Sequence, residues 1–482
     1  MSTLKKNLGY QTLYQLLNTC LPLVTSPYLA RVLGAAQQGV FSYTQSIVNY
    51  FTLFAMLGIV NYGTRTIAAC GENREKRTVS FWNIYAIQFV ASFAAMGIYG
   101  SYLFLICGEN ILIAWIQGLY ILGSLLDINW LFFGVEEFDV TVKRSMIIRI
   151  ASVVGILVLV KSPEDLWIYT IIMAGSTVLS NGILWWFVPK LVDLDGIRRI
   201  KFLNVRTHIK PVLILFVPLI AMSVYHIMDK TMLGILSSYE QTGFYYNADK
   251  IINIPIGIIT GIGTVMLPRM SALEELGKKS ESEKLFEMSV EMVIMLSSAM
   301  AFGISAVAKE FTPLFFGNGF DACILLMIVL SPVLIIKSIS QTVRMQYLIP
   351  THRENIFIQA VFAGAIVNFI VNSALINKYG ALGAVIGTLT AELVTCVWQC
   401  WKIKKDINIA RLLSKSICYL VFGFGMMVSV RLVANVFSNR IMGILLEICT
   451  GGLVYLTLCS MYWVITKNPI LQSLRKSNIE GV

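Results

Sequence analysis

The sequence predicts an all-α polytopic membrane protein with about 14 transmembrane helices, arranged as two pseudo-symmetric six-helix lobes plus two C-terminal helices. Three observations predict this fold: the composition, the spacing of long apolar runs, and an internal repeat. Hydrophobic residues make up 56% of the 482 residues, charged residues make up 13%, and the mean hydropathy is +0.72. Because a soluble domain carries roughly 25% charged residues, this composition indicates a membrane protein.

Apolar runs long enough to cross a membrane recur along the whole chain. The hydrocarbon core of a bilayer is about 30 Å thick, so a crossing helix needs about 20 predominantly apolar residues. In the first half such runs cover residues 10–33, 39–62, 80–106, 110–133, 142–160 and 166–188. In the second half they cover residues 211–236, 243–267, 286–308, 321–343, 355–376, 381–401, 412–436 and 441–465. Each run predicts one transmembrane helix.

The positions of Lys and Arg predict how these helices are oriented, because cytoplasmic loops retain positive charge. When successive connections are assigned alternately to the two sides of the membrane, one side holds 28 Lys and Arg residues and the other holds 5. Both chain termini belong to the first set and are expected in the cytoplasm. The formal net charge of +11 is explained by this topology and by contact with anionic lipids, so no nucleic-acid partner is expected.

A sparse internal repeat divides the chain. LARVLG at residues 29–34 matches DKTMLG at 229–234. Further matches at a constant offset pair four residues of the first half with four of the second: Gly39, Ile47, Asn49 and Arg65 with Gly243, Ile251, Asn253 and Arg269. Chance similarity between apolar segments is the alternative explanation. Repeats with a substrate path at their interface are typical of transporters.

The repeat predicts four regions. The N-terminal lobe covers residues 1–190, and a basic cytoplasmic linker covers 191–210. The C-terminal lobe covers 211–405, and two further helices with a cytoplasmic tail cover 406–482. We therefore expect two parallel repeats of six helices that both start in the cytoplasm.

Polar side chains inside the apolar runs indicate where a substrate path lies. In the first run Gln11, Gln15 and Asn18 recur at helical spacing, which places them on one face. Hydrocarbon penalises a polar face, so this stripe is expected to face protein or water. Arg149 and Lys337 lie deeper in their runs than interfacial side chains do. Cations at such depth mark ion or substrate pathways.

Four further charges are expected near the outer surface of the membrane. The stretch SVYHIMDKTMLG ends the seventh run with Asp229 beside Lys230. Neighbouring residues on a helix point away from each other, so these two do not pair with one another. The eighth run brings Asp249 and Lys250 to a similar depth. The four charges are expected to cross-pair, either as a structural latch or as a moving outer gate.

Five stretches distributed along both halves of the chain carry a family signature. They read YLARVLGAAQQGVFSY, LLDINWLFFGVEEF, MDKTMLG, FYYNADKIINIPIGIITGIGTVMLPRMS and NKYGALGAVIGTLTAELV. The chain thereby resembles the polysaccharide transporter family, the Wzx-type oligosaccharide flippases of the MOP superfamily. The resemblance implies a two-lobed transporter that moves polyprenyl-diphosphate-linked oligosaccharide, by alternating access, from the inner to the outer leaflet of the bacterial cytoplasmic membrane.

The resemblance also implies a cationic central cavity. The positions that fit it are Arg149 and Lys337, with Arg65, Arg269 and Arg344 at the cytoplasmic rim. Arginine offers bidentate donors to phosphate and lysine offers a point charge, so these side chains suit a diphosphate. The alternative, stronger for the three rim arginines, is that the side chains only reach the membrane interface.

Coupling to an ion gradient requires acids, and the candidates for binding H⁺ or Na⁺ are Asp127 and Glu392. The equal alternative is that either carboxylate pairs with a buried cation. The expected partners are the lipid-linked oligosaccharide and anionic lipids, with polysaccharide polymerases or assembly proteins as further candidates. No cofactor, metal site or catalytic residue is predicted.

Two other functions stay open at this point. A multidrug and toxin extrusion antiporter would share the architecture, but a cavity for organic cations should carry net negative charge. A membrane glycosyltransferase or polysaccharide polymerase is the alternative of another class. The acidic pattern Asp193-Leu-Asp195 lies in a connector of about twenty residues, which leaves no room for a catalytic domain. The chain is therefore not expected to be an enzyme.

Overall fold

The computed structural model describes residues 2–199, 202–434 and 440–468. In these ranges every regular secondary-structure element is a helix. The chain forms two compact units, one ending at Gly243 and the other starting at Phe244. The first unit contains α1 (Ser2–Met56), α2 (Ile59–Ala68), α3 (Arg74–Leu105), α4 (Ile111–Gln117), α5 (Leu119–Leu125), α6 (Asn129–Gly134), α7 (Phe138–Leu159), α8 (Leu166–Leu184), α9 (Val188–Leu191) and α10 (Phe202–Leu236).

The next helix, α11 (Tyr239–Glu275), begins in the first unit and continues into the second. The second unit further contains α12 (Lys279–Phe315), α13 (Ala322–Leu330), α14 (Pro332–Val343), α15 (Glu354–Tyr379), α16 (Ala381–Ile403), α17 (Ile409–Val433) and α18 (Arg440–Thr466). A short π-helix, Arg344–Leu348, continues α14.

Among the described residues, 11 helical stretches are long and apolar enough to cross a membrane. The first of them, Leu23–Ala68, joins the first two predicted spans. The helices α7 and α10 cover the fifth and seventh predicted spans without being counted among the 11. The all-α membrane fold is thus confirmed, and the number of fourteen crossings stays a prediction.

The first two predicted spans are not separated by a loop. They form one element, α1, in which Gly34 alone leaves helical geometry with φ 72° and ψ 176°. A positive φ combined with an extended ψ is accessible to glycine and costly for other residues. The expected connection between residues 33 and 39 is therefore a glycine kink, because one residue suffices to redirect the helix.

The first unit is built on a core of large side chains. Phe81, Trp130 and Phe132 are fully buried where α3 and α6 meet. The helix α10 packs on α1, α2 and α3. It approaches so closely that a Cβ added at Gly58 would lie 2.5 Å from the backbone oxygen of Val212. The helix of the seventh predicted span thus packs within the first unit, and the lobe boundaries at 190 and 211 stay a prediction.

Two glycines paired by the repeat occupy a close helix crossing in the first unit. A Cβ added at Gly39 would lie 1.6 Å from the backbone oxygen of Tyr239, and one added at Gly243 would lie 1.9 Å from the backbone oxygen of Ala35. Both positions exclude any larger residue, because these distances lie far inside van der Waals contact. The matched glycines let the backbone of α1 touch the first turn of α11.

The second unit has its core between α12, α14, α17 and α18. Phe286 on α12 and Tyr419 on α17 are its largest fully buried side chains. The hydroxyl of Tyr419 donates to Oε1 of Glu291 at 2.7 Å, and the indole of Trp463 donates to that hydroxyl at 2.8 Å. The two helices that follow the predicted repeat are therefore fixed to α12 by packing and by hydrogen bonds.

Candidate functional site

A buried ion pair joins α14 and α16 in the second unit. The Nζ of Lys337 lies 3.4 Å from Oε1 of Glu392, and the two side chains are 12% and 3% exposed. Further along the same two helices, Nε2 of Gln399 donates to Oγ of Ser340 at 2.6 Å. Removing two charges from water costs several kcal/mol for each ion, which close pairing offsets. We call Lys337, Ser340, Glu392 and Gln399 the polar seam.

The polar seam brings together two residues to which the sequence assigned separate roles. Lys337 was predicted to bind phosphate, and Glu392 was predicted either to couple transport to an ion or to pair with a buried cation. The pairing is what the structure shows. A paired carboxylate can still exchange its cation for a proton, so both roles of this pair stay predictions.

The π-helix lies directly after the polar seam. Segments of this kind inside α-helices occur frequently at functional sites. Its first residue, Arg344, is half-buried, and the guanidinium carbon lies 4.8 Å from the centre of the Phe357 ring. Both polar side-chain atoms of Gln346 are buried without a hydrogen-bond partner among the described residues. Gln346 is therefore a candidate for binding water or sugar that the sequence analysis missed.

The other two rim arginines have exposed side chains. Arg65 lies in the last turn of α2 and Arg269 lies on α11. Exposure at these positions is compatible with phosphate contact and with anchoring at the interface. Their assignment to a cavity rim stays a prediction.

The helix α7 carries two arginines, Arg144 and the predicted phosphate-binding residue Arg149, whose role stays a prediction. Arg149 is exposed, whereas Arg144 is 9% exposed. On a helix with 3.6 residues per turn, positions five residues apart point roughly 140° apart, so only one of the two can face the interior. Arg144 lies at the start of the predicted span 142–160, where a cation is expected on topological grounds alone.

Arg144 is held by groups from three helices. Its Nη2 donates to Oδ1 of Asn129 at 3.2 Å and to Oγ of Ser145 at 3.0 Å, and its Nη1 donates to the backbone oxygen of Ser180. The amide of Asn129 also lies 3.3 Å from Oδ1 of Asn181. The sequence signal for this network was the presence of the two asparagines inside apolar runs, because buried amides require hydrogen-bond partners.

Asp127 lies at a break between α5 and α6. Its Oδ1 accepts the backbone N–H of Asn129 at 3.0 Å and the side-chain amide of the same residue at 2.7 Å. Asp127 therefore binds Asn129, the first residue of α6, and through it belongs to the network of Arg144. Its predicted role in ion coupling stays a prediction, since in this structure the carboxylate organises a helix terminus.

The backbone groups freed by this break are satisfied by side chains. Nε2 of Gln88 donates to the carbonyls of Ser124 and Asp127, both at 2.7 Å. The indole of Trp185 donates to the carbonyl of Leu126 at 3.0 Å. At membrane depth, irregular backbone is tolerated where neighbouring protein groups take its hydrogen bonds.

The predicted polar stripe and the outer charges are described in part. The side chains of the stripe lie outside the described residues: Gln11, Gln15 and Asn18. Asp229 is 2% exposed, and Lys230 next to it is half-buried. Nearby, Oγ of Ser46 lies 2.8 Å from Oγ1 of Thr231, which joins α1 to α10. The C-terminal end of α10 is thus fixed within the first unit.

In the second unit the corresponding charges have local partners. Nδ2 of Asn253 donates to Oδ1 of Asp249 at 2.7 Å. The Nζ of Lys250 lies 5.4 Å from the centre of the Tyr246 ring. Cross-pairing with the charges of α10, as latch or as gate, stays a prediction.

Comparisons with known proteins identify the family. The polysaccharide biosynthesis protein family matches residues 4–274, more than half of the chain. The chain is 24% identical over 396 residues to the "Putative O-antigen transporter" of Escherichia coli (strain K12), covering 82% of this chain and 95% of that protein. It is 22% identical over 346 residues to the "Probable low-salt glycan biosynthesis flippase Agl15" of Haloferax volcanii, covering 70% of each.

Solved structures share the fold. The lipid II flippase MurJ in an inward closed conformation superposes with a TM-score of 0.78 at 13% identity, over 95% of this chain and 99% of that one. An inward-facing multidrug resistance MATE transporter of the MOP superfamily gives a TM-score of 0.58 at 14% identity, over 82% and 96%. At these identities the likeness concerns the fold alone. The predicted family is confirmed: the chain is a multi-pass membrane transporter, not an enzyme, and belongs to the polysaccharide biosynthesis protein family.

Proposed function

We propose that this protein is a flippase that moves polyprenyl-diphosphate-linked oligosaccharide from the inner to the outer leaflet of the bacterial cytoplasmic membrane. The family match and the relatives named as O-antigen transporter and glycan biosynthesis flippase support this class of substrate. The single observation that carries the mechanism is the buried pair of Lys337 and Glu392. A cation at that depth is costly unless it has a task or a partner.

The proposed cycle exchanges the partner of Lys337. A diphosphate cannot cross hydrocarbon unaided, so the protein must supply a polar, positively charged path while the prenyl tail stays in lipid. When the diphosphate binds Lys337, it displaces Glu392, which then takes up a proton and becomes neutral. When the substrate leaves, Glu392 releases the proton and the ion pair forms again. Each transport event thereby moves one proton on and off Glu392.

Arginines complete the proposed phosphate path. Arg149 is exposed on α7, which suits direct contact with a phosphate, and it offers the bidentate geometry that lysine lacks. Arg65, Arg269 and Arg344 form the cytoplasmic rim of the path in this proposal. Glu392 is preferred over Asp127 as the coupling acid, because the carboxylate of Asp127 already binds the backbone and side-chain amides of Asn129.

The proposal includes a topology and a transport mode. Both termini and the basic connections lie in the cytoplasm, where they contact anionic lipids. The two predicted lobes alternate between access from the inner and from the outer leaflet, as the repeat suggests. Polymerases or assembly proteins that take up the delivered oligosaccharide are the proposed protein partners.

The test is leaflet exchange of a fluorescent polyprenyl-diphosphate oligosaccharide in proteoliposomes. Lys337→Ala and Arg149→Ala are expected to slow exchange roughly tenfold or more, the effect of losing about 1.4 kcal/mol. Glu392→Gln is expected to keep exchange but to lose its dependence on the proton gradient. The matched control is Lys143→Ala, since Lys143 is an exposed cation of α7 that pairs with Asp139 one turn away.

Two results would contradict the proposal. If the wild-type protein moves no lipid-linked oligosaccharide under a proton or sodium gradient but expels small organic cations, it is a drug extruder. If Lys143→Ala slows exchange as much as Lys337→Ala, general charge and not the polar seam governs transport.

A further inference from the structure

A charged cluster in the last helices has no part in the cycle above. It consists of Glu310 on α12, Arg431 on α17 and Glu447 on α18, three helices that pack on one another. Nη1 of Arg431 lies 3.3 Å from Oε2 of Glu310. Nη2 of Arg431 donates to the backbone oxygen of Ser305 at 3.2 Å. We call Glu310, Arg431 and Glu447 the terminal cluster.

Glu447 is the unusual member of the terminal cluster. It is 0% exposed, and neither carboxyl oxygen has a hydrogen-bond partner among the described residues. An ionised carboxylate without hydrogen bonds in an apolar interior is among the most costly groups in a protein, whereas the neutral acid costs far less. Inside a membrane helix, where water cannot substitute for a missing partner, this difference is largest.

Close helix packing keeps Glu447 from the surroundings. One turn further along α18, a Cβ added at Gly451 would lie 3.0 Å from Cγ2 of Val430 on α17. This glycine lets the two helices approach, and Arg431 directly follows Val430 in the sequence. Glu447 is therefore enclosed where α18 packs on α17.

Two charged groups of opposite sign face Glu447. Glu310 on α12 and Arg431 on α17 are the charged groups with which Glu447 interacts electrostatically. An ionised Glu447 would leave the terminal cluster with two carboxylates for one guanidinium. A neutral Glu447 leaves one compensated ion pair. The side chains of Glu310 and Arg431 are 21% and 34% exposed, whereas Glu447 is fully buried.

We propose that Glu447 is a proton-binding site, whose proton is held on the neutral carboxyl and exchanged through the ion pair of Glu310 and Arg431. Neither carboxyl oxygen of Glu447 has a hydrogen-bond partner among the described residues, so exchange first requires the two side chains to move into contact. The proton then leaves the hydroxyl of Glu447 and is taken up by the carboxylate of Glu310. Arg431 then pairs with the new carboxylate of Glu447, so the number of charges in the terminal cluster is unchanged. Glu310 finally releases the proton toward the predicted outer end of α12.

The experiment is an infrared titration of the full-length protein in lipid nanodiscs. The wild type is expected to show the carbonyl band of a protonated carboxylic acid at neutral pH, and Glu447→Gln is expected to lose the part of that band due to one carboxyl. Glutamine keeps the shape of the neutral acid. The control Glu283→Gln removes an exposed acid at the other end of α12 and should leave the band unchanged.

A second comparison does not require the Glu447 variant to fold. In Glu310→Gln, Arg431 is released to pair with Glu447, so the band should titrate at least about 1 pH unit lower than in the wild type. An unchanged band in Glu447→Gln, or identical titrations of wild type and Glu310→Gln, would overturn the proposal. The readout involves no transport, so it stands apart from the flippase assay.

Discussion

The Nζ of Lys337 and Oε1 of Glu392 lie 3.4 Å apart with 12% and 3% of their side chains exposed. Removing one member leaves the other charged and buried without compensation, which costs about 3–5 kcal/mol. Lys337→Met should therefore lower thermal stability in detergent strongly. The double variant Lys337→Met, Glu392→Leu should recover most of the loss, because it buries no charge. Equal losses of thermal stability in the single and double variants would show that the two side chains are not energetically coupled.

Arg144 and Arg149 provide a matched comparison on one helix. Arg144→Gln removes charged hydrogen bonds to Asn129, Ser145 and Ser180, so we expect a loss of about 1.5–3 kcal/mol in stability. Arg149→Gln changes an exposed side chain and should stay within roughly 0.5 kcal/mol. Thermal unfolding of the two purified variants measures the difference. A larger loss for Arg149→Gln would contradict the placement of the two side chains.

The crossing of α1 with the first turn of α11 is tested at Gly39. In Gly39→Ala the new methyl group would meet the backbone oxygen of Tyr239 at 1.6 Å, so the helices must separate. We expect reduced yield of folded protein and a lower melting temperature. In Gly97→Ala, on α3, the methyl group meets nothing within 4 Å, and stability should be unchanged or rise by up to about 1 kcal/mol. Similar losses in both variants would argue against the crossing.

The exposed pair of Arg353 and Asp406 should contribute far less than the polar seam. The side chains are 44% and 37% exposed and lie 2.5 Å apart, and the hydrogen bond to Asp406 raises the pKa of the Arg353 guanidinium above its usual value. A pKa that is raised on folding gives stability that is fully present at pH values below the pKa of the unfolded chain. This stability is lost only as pH rises through the pKa of the folded protein. Arg353 therefore adds no pH dependence near neutrality.

Arg353→Ala is expected to cost at most about 1 kcal/mol, and less as salt is added. Melting temperatures of wild type and variant at low and high ionic strength check this. A loss that exceeds that of Lys337→Met, or that persists at high salt, would mean that the pair is shielded from solvent in the lipid-bound protein.

The elements were predictable because membrane helices carry their signal locally. Long apolar runs suffice to place helices, since hydrocarbon admits little else. The kink at Gly34 was not predictable as such, because glycine is compatible with a turn, a kink or a loop. The close crossing at Gly39 and Gly243 was not predicted, because the sequence shows these glycines only as matched positions of a sparse repeat.

The candidate site was predictable by residue type and not by pairing. Lys337 and Glu392 stand out in their runs, yet only the packing of α14 on α16 makes them partners. Arg144 was missed because it lies near the end of a predicted span. Whether a side chain is buried there depends on the helix face it occupies and not on its distance from the span end. Glu447 was missed because an acid seven residues into a span resembles an interfacial side chain until its neighbours are known.

The break between α5 and α6 also changes how mutational scans should be interpreted. Gln88 is fully enclosed, and its amide is occupied by the carbonyls of Ser124 and Asp127. A scan scored by cell-surface polysaccharide will rank Gln88 beside residues that contact cargo, because both classes lose activity. Only protein abundance measured in the same cells separates them. For this protein, intolerance at Gln88 reports the geometry of a bent helix and carries no information about which sugar is moved.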